Sequence, residues 1–287
     1  MASCVASLDA AGLRHLVIVD NSEDPVQVEL IEQILESYSG FSVLRQTTNQ
    51  GFGAAINIAL EIISSQHLGS GSPRTIVWTL NPDCTVRPDA LRSIGKTVKS
   101  LATAEQWLAS PTVEYMDSRQ RANGERLWFA GGLIDCVAVR TEHFTTSPPN
   151  ELTKVGFLSG CSIFGPLRTW RELGGYPEHL FLYWEDAYLS RRASLRDIPL
   201  YVCSYMIVRH AVGGSGDQST GASADFYYYM QRNRVRFAHE FGLSLHNLSA
   251  LQESLRWVAI PLVRERDQRW RKTRASLSGL VAGFGRR

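Results

Sequence analysis

Four groups of polar residues end or directly follow predicted strands, and their side chains suit chemistry on a phosphate-bearing substrate. They are Asp20, the pair Asn81 and Asp83, the pair Glu185 and Asp186, and His210. The carboxyl ends of parallel strands meet at one edge of a sheet, so these groups can converge there. Asp83 and His210 offer oxygen and nitrogen ligands to a divalent cation, which could neutralise a departing diphosphate. Asp186 could then act as a general base on an acceptor hydroxyl.

Each of these residues also has a plain structural explanation. An Asp after a strand, such as Asp20 or Asp83, usually caps a turn. An acidic pair at the start of a helix is favoured by the positive end of the helix dipole. A single His at a strand end is commonly structural. The chemical interpretation therefore depends on the order and spacing of the four groups together.

The first hundred residues alternate predicted strands and helices. Apolar, β-branched runs at 16–19, 41–44 and 76–80 predict buried strands, and Pro82 ends the third because it cannot donate to a strand ladder. Asp24 suits a helix N-cap and Pro25 the first helical position. Strands that alternate with helices in this way predict parallel crossovers.

From about residue 107 the pattern changes to shorter strands, some of them antiparallel. A strand ends at His210, and a Gly/Ser-rich stretch over 213–224 follows it. We expect this stretch to be a loop that closes over the phosphates. An aromatic helix is predicted over 226–241, and the chain after it is basic.

The bulk composition excludes several classes of protein. A net charge of +2 over 287 residues gives no strong field for nucleic acid. Five cysteines without a C-x-x-C pair argue against a disulfide framework or a zinc cluster and favour reduced thiols. The N-terminus lacks the features of a signal peptide, and no apolar run approaches the roughly 20 residues of a membrane span. We therefore expect a cytoplasmic protein whose membrane contact is peripheral, on the inner face of the plasma membrane.

Several segments taken in order resemble a known family. They are VIVDNSEDP, NQGFGAAIN, LNPDC, WFAGG, FLSGCSIFGPLRTWRELGGYPEHLFLYWEDAYLSRRA and VRHAVGGSG. The sequence resembles the family 2 inverting glycosyltransferases of the GT-A fold, and most of all their rhamnosyltransferase-like branch. The resemblance covers roughly residues 4–240 and is most specific over 158–193.

The resemblance implies an α/β fold of the GT-A type. Its sheet would be mostly parallel and Rossmann-like, with helices on both faces and a smaller mixed or antiparallel part on the acceptor side. The implied domain spans 1–242, with a nucleotide-sugar-binding half at 1–106 and an acceptor and catalytic half at 107–242. Residues 243–287 would form a basic helical tail.

The resemblance also implies a role for each matching residue. Asp186 matches the catalytic base, and Glu185 lies beside it. Asp83 and His210 match the ligands of Mn²⁺ or Mg²⁺. The nucleotide-binding positions are matched by Asp20, Asn49, Gly51 and Asn81, and the sugar and acceptor pocket by Trp128, Gly131, Gly132 and Trp184.

The implied reaction is metal-dependent, inverting transfer of a sugar from a nucleotide-diphosphate donor. The donor would be dTDP-rhamnose or a UDP-sugar. The acceptor would be a hydroxyl of a cell-envelope or polysaccharide precursor, such as a lipid-linked glycan. We expect no nucleic-acid partner, and self-association into a homo-oligomer is compatible with the sequence.

One departure from the family keeps an alternative open. The family begins with a strand and then a helix, whereas this sequence begins within that helix, near CVASL. The strand at 16–19 is then expected to have an unpaired edge. The alternative is a truncated, non-catalytic relative that binds sugar nucleotides. A nucleotidyltransferase shares the strand-end acids but would need an Arg- and Lys-bearing Gly-rich loop at the start.

Overall fold

The computed structural model describes residues 1–13, 15–36, 41–46, 48–67, 75–116, 126–211 and 222–285. Their helices are α1 (Ala2–Ala10), α2 (Pro25–Leu35), α3 (Phe52–His67), α4 (Ala90–Ser100), α5 (Leu167–Leu173), α6 (Glu185–Leu195), α7 (Ala224–Glu240), α8 (Leu248–Arg264) and α9 (Arg269–Phe284). Their strands are β1 (Leu16–Asp20), β2 (Phe41–Arg45), β3 (Ile76–Leu80), β4 (Cys84–Val86), β5 (Leu108–Tyr115), β6 (Leu127–Phe129), β7 (Gly132–Asp135), β8 (Arg140–His143), β9 (Leu152–Val155), β10 (Ser162–Pro166) and β11 (Leu200–His210).

Local sequence signals set the ends of several elements as predicted. The side chain of Asp24 accepts a hydrogen bond from the Val26 amide, and Pro25 is the first residue of α2. Strand β3 ends at Leu80, two residues before Pro82. Helix α5 ends at Gly174, whose φ of 72° lies in the left-handed region that glycine adopts without strain.

The central sheet has seven strands and is mixed. Its order is β3-β10-β5-β11-β4, with β6 paired to β5 and β9 paired to β11. The prediction of a mostly parallel sheet was wrong, because only β5 and β11 are parallel neighbours in this sheet. Parallel neighbours need a crossover connection, usually a helix. No helix lies between β5 and β10 in the described residues, and the strands of this region pair antiparallel.

Strands β1 and β2 form a separate parallel ribbon. The prediction that 16–19 is a buried strand was wrong, since all four residues are only half-buried. Among the described residues β1 pairs with β2 alone, which agrees with the expectation of an unpaired edge. The apolar stripe of α2 covers this ribbon through Ile31 and Leu35. Tyr38, where the same helical spacing would continue the stripe, lies outside the described residues.

The last three helices pack together at the end of the chain. Arg234 of α7 is fully buried and donates to the carbonyls of Ala138, Val139 and Ala250. These bonds tie α7 both to the turn between β7 and β8 and to α8. In the described part of the chain, no helix is long and apolar enough to cross a membrane.

Candidate active site

The turn between β3 and β4 brings Asp83 next to His210. Strands β4 and β11 run antiparallel with His210 opposite Cys84, and the Ala211 amide donates to the Asp83 carbonyl. The Nε2 atom of His210 lies 3.2 Å from Oδ1 of Asp83. Burial by itself lowers the pKa of His210, but the hydrogen bond to Asp83 and the charges of Cys161 and Asp83 together outweigh it, so the pKa is raised overall.

The atoms around this pair suit a hard divalent cation. Two buried polar atoms beside the pair have no hydrogen-bond partner in the described residues: Oδ1 of Asn81 and Nδ1 of His210. Buried polar atoms are normally paired, and carboxylate, amide and imidazole groups are ligands for Mn²⁺ or Mg²⁺. Cys84 also lies within reach, but its thiol points at the Cys161 carbonyl, 3.8 Å away. Asp83 and His210 are therefore the residues that could hold a cation.

Asp186 lies in the first turn of α6 and is oriented by two backbone amides. Its Oδ2 accepts from Gly160 at 2.9 Å, and its Oδ1 accepts from Ala187 at 2.8 Å. Burial raises the pKa of Asp186, and the two amides offset part of that rise. The neighbouring Glu185 is 5% exposed, and burial followed by repulsion from Asp186 raises its pKa to about 8. A carboxylate with a raised pKa is a better proton acceptor.

A two-residue segment, Gly160–Cys161, links the cation pair to Asp186. The Asn81 amide donates to the Cys161 carbonyl at 2.9 Å, while Gly160 contacts Asp186 as described. The Gly160–Cys161 backbone thus contacts both Asp186 and Asn81, the residue two positions before Asp83. Sequence reasoning had placed them near one edge without a physical connection.

Of the predicted nucleotide-binding residues, Asn49 and Gly51 are in contact, since the Gly51 amide donates to Oδ1 of Asn49 at 3.0 Å. Asn21, which the sequence interpretation did not select, donates from Nδ2 to Oδ1 of Asn49 at 2.8 Å and to the Gly51 carbonyl at 3.2 Å. Asp20 is buried and accepts from the Ser22 amide at 3.0 Å, which is the turn-capping role considered for it. The signal for Asn21 was its position directly after Asp20 at the end of a strand.

Gly51 joins this group to the segment before α6. Its φ is 96°, and a Cβ atom placed on it would lie 2.2 Å from the Phe181 carbonyl oxygen. The Phe52 amide donates to that same oxygen at 3.0 Å. The close approach of two backbones therefore requires glycine at this position.

Two strained residues lead into the acidic pair. Tyr183 and Trp184 have φ values of 70° and 77°, a region that aromatic residues rarely adopt. Asn233 of α7 is fully buried, and its Nδ2 donates to the carbonyls of Leu182 at 2.8 Å and Tyr183 at 2.9 Å. Asn233 thus holds the turn that presents Glu185 and Asp186. Its spacing in the sequence carries no signal for this contact.

The predicted sugar and acceptor residues divide into two sets. The Trp128 ring lies 5.1 Å from the His210 ring, so it borders the cation pair. Trp184 instead packs against Phe237 in the core, 5.0 Å between ring centres. Gly131 and Gly132 face away into packing contacts: Cβ atoms there would lie 2.6 Å from Val155 and 2.3 Å from the Glu142 carbonyl. The predicted loop over 213–224 lies outside the described residues except for its last three.

Comparison with known proteins finds a family match over the first part of the chain. The model of glycosyl transferase family 2 matches residues 1–126, a span that includes Asp20, Asn49, Gly51 and Asp83 but neither Asp186 nor His210. No curated protein resembles the sequence closely enough to count as a match.

Two solved glycosyltransferase structures share the fold. GalNAc-T7, solved with UDP, GalNAc and Mn²⁺, is 14% identical with a TM-score of 0.56; the alignment covers 88% of this chain and 50% of that one. The mannosyltransferase PcManGT from Pyrobaculum calidifontis, in complex with GDP-Man and Mn²⁺, is 15% identical with a TM-score of 0.52; the alignment covers 99% of this chain and 72% of that one. The chain thus spans half the length of the first relative. The first 126 residues thus match glycosyl transferase family 2, and the chain shares the α/β fold of these glycosyltransferases.

Proposed function

We propose that the protein is a metal-dependent inverting glycosyltransferase that uses a nucleotide-diphosphate sugar. The observation that carries the proposal is the shared backbone segment, which joins the Asp83–His210 pair to Asp186 through Asn81, Cys161 and Gly160. Both structural relatives were solved with Mn²⁺ and a nucleotide or nucleotide sugar, which supports the same ligand classes here.

The proposed reaction is a single displacement. Asp186 takes the proton from the acceptor hydroxyl as that oxygen attacks the anomeric carbon. The bond from the anomeric carbon to the diphosphate breaks on the opposite face, so the configuration inverts. Asp83 and His210 would hold a divalent cation, which when bound would neutralise charge on the departing diphosphate. Asp20, Asn49, Gly51 and Asn81 are proposed to bind the nucleotide side of the donor.

The finer assignments follow from the family resemblance and are part of the proposal. The donor sugar is L-rhamnose from dTDP-rhamnose, with a UDP-sugar as the other donor class. The acceptor is a cell-envelope or polysaccharide precursor, reached by peripheral contact with the inner face of the plasma membrane. Trp128 borders the sugar site. Residues 1–242 form the transferase domain, within which the halves 1–106 and 107–242 contribute strands to one sheet, and 243–287 form the basic tail.

A donor panel tests this function. Purified protein is incubated with dTDP-, UDP- and GDP-sugars, with and without Mn²⁺ or Mg²⁺, and both thermal stabilisation and nucleoside diphosphate release are measured. We expect a cation-dependent release that Asp186→Asn abolishes while donor stabilisation remains. Asp83→Asn should remove the stabilisation as well.

The alternatives give different results in the same experiment. If the protein is a non-catalytic relative, a donor would stabilise it even without any substitution, but no nucleoside diphosphate would be released. A nucleotidyltransferase would release pyrophosphate. Undiminished turnover by Asp186→Asn would remove Asp186 from the proposed role.

A further inference from the structure

Helix α9 has its polar and small residues on the inside and its apolar residues on the outside. Its buried face consists of Lys272, Thr273, Ser276, Gly279 and Gly283. The two glycines let α9 approach α7 closely, since a Cβ atom at Gly279 would lie 2.1 Å from the Tyr228 carbonyl oxygen. The opposite face exposes Trp270, Leu277, Val281 and Phe284, with Trp270 80% exposed. This is the reverse of an ordinary surface helix, whose apolar face turns inward.

Helix α8 repeats this arrangement. Its inner side buries Ala250, Glu253 and Pro261. Its outer side exposes an apolar stripe at helical spacing, formed by Leu248, Leu251, Leu255 and Val263, of which Val263 is 79% exposed. The Ser276 hydroxyl donates to the Trp257 carbonyl, so the two helices contact each other. We call the eight exposed apolar residues of α8 and α9 the C-terminal surface.

The charges around the C-terminal surface are predominantly positive. Glu253 is buried and paired with Arg256, and Glu265 is buried and paired with Lys272, so both acids are neutralised internally. Asp267 is the exposed acid of the described segment 248–285, while its exposed cations are interspersed with the exposed apolar residues along the sequence. These cations include Arg264, Arg266, Arg269, Arg271 and Arg274.

We propose that the C-terminal surface docks on an anionic lipid bilayer. Exposed apolar side chains rimmed by arginine match the boundary between acyl chains and negatively charged headgroups. A second copy of the chain fits less well, because a two-fold contact would bring like charges together with Asp267 as the one exposed acid of the described segment to pair them. Since no described helix can span a membrane, the two helices lie on the bilayer. The inference rests on the proposed function, which includes a peripheral membrane contact, and it assigns that contact to the C-terminal surface.

Vesicle co-sedimentation tests the inference with the whole chain. The protein is mixed with vesicles of phosphatidylcholine alone or with about one third phosphatidylglycerol, at low and high salt. We expect binding to the anionic vesicles that weakens at high salt. Leu255→Asp with Val263→Asp should reduce binding about tenfold or more, because it removes apolar contact with the acyl chains. Arg266→Glu with Arg274→Glu should reduce binding by a similar factor, because each arginine near the headgroups contributes about 1 kcal/mol. Val26→Asp and Arg92→Glu, at exposed positions of α2 and α4, are the matched controls.

Failure of this inference can be distinguished from failure of the proposed function. Thermal stabilisation by sugar nucleotide is measured on the same variants and should be unchanged. Equal binding to neutral and anionic vesicles, or unreduced binding by the charge-reversal variant, would overturn the inference. So would a dimer in solution that the same substitutions dissociate, because the surface would then be covered by a second copy. Donor stabilisation without vesicle binding would leave the proposed function intact and remove only the docking surface.

Discussion

Glu185 is a buried carboxyl group directly before the proposed base, and its environment favours the protonated form. Its pKa is raised to about 8 by burial and by the charge of Asp186, against an ordinary value of 4.5. The folded protein therefore keeps a proton that the unfolded chain releases. Stability must fall as pH rises from about 4.5 to about 8, with a slope of at most about 1.4 kcal/mol per pH unit from this group.

Urea unfolding at several pH values between about 5 and about 8, where Glu185 is expected to lower the stability, checks this prediction. Glu185→Gln, which cannot ionise, should flatten the decline of the free energy of unfolding. Glu172→Gln on the exposed side of α5 is the control and should leave the decline as it is. An identical pH dependence in the unaltered protein and in Glu185→Gln would show that Glu185 ionises normally.

Gly51 provides a second prediction at the residue scale. Gly51→Ala places a methyl group against the Phe181 carbonyl at a positive φ. We therefore expect the free energy of unfolding to fall by about 1–3 kcal/mol and the donor to stabilise the protein less. Gly174→Ala is a matched control, because Gly174 also has a positive φ but open space around its Cβ position. The control should destabilise less and leave donor binding intact. If both variants behave alike, the backbone contact to Phe181 has no specific effect.

At the scale of elements, helix α7 fixes the start of α6 through Asn233. Asn233→Ala leaves the carbonyls of Leu182 and Tyr183 without their buried donor, and an unpaired buried group costs about 1–3 kcal/mol. We expect the strained turn to relax and kcat to fall about tenfold or more, because a small misplacement of the base slows the reaction strongly. KM for the donor should change little.

The control for this prediction lies on the same helix. Gln231 is also fully buried, but its side chain donates to the Ser254 carbonyl of α8 instead. Gln231→Ala should lower the melting temperature without a comparable loss of kcat. A similar loss of kcat in both variants would mean that the effect is general destabilisation of α7.

Some element boundaries could be predicted from the sequence, whereas the strand order could not. The start of α2 at Asp24 and Pro25 and the end of β3 before Pro82 follow from interactions within a few residues, and both were predicted. The position of β10 between β3 and β5 depends on pairing across more than fifty residues, which local patterns do not encode. In the candidate site, strand-end acids were recognisable, whereas the contacts of Gly160 and Asn233 arise only when distant segments meet.

At the scale of the whole molecule, the described residues form three sheets: one of seven strands and two of two strands, β1–β2 and β7–β8. The seven-stranded sheet carries Asn81, Asp83 and His210, while Asp20 ends a strand of the two-stranded ribbon. The hydrogen bonds of Asn21 to Asn49 and Gly51 link the ribbon to the start of α3. The candidate site therefore draws its nucleotide-side and cation-side residues from separate sheets.

A ribbon of two strands is only marginally stable by itself, so the molecule should not open as one unit. In hydrogen–deuterium exchange, backbone amides of β1 and β2 should exchange through a local opening well before those of β5 and β11. A bound sugar nucleotide should slow exchange in β1, because it selects the closed ribbon. Uniform exchange of all four strands would contradict this view. If β1 and β2 open locally as expected, donor binding is coupled to the folding of this ribbon. The free energy of the local opening then sets part of the affinity for the donor.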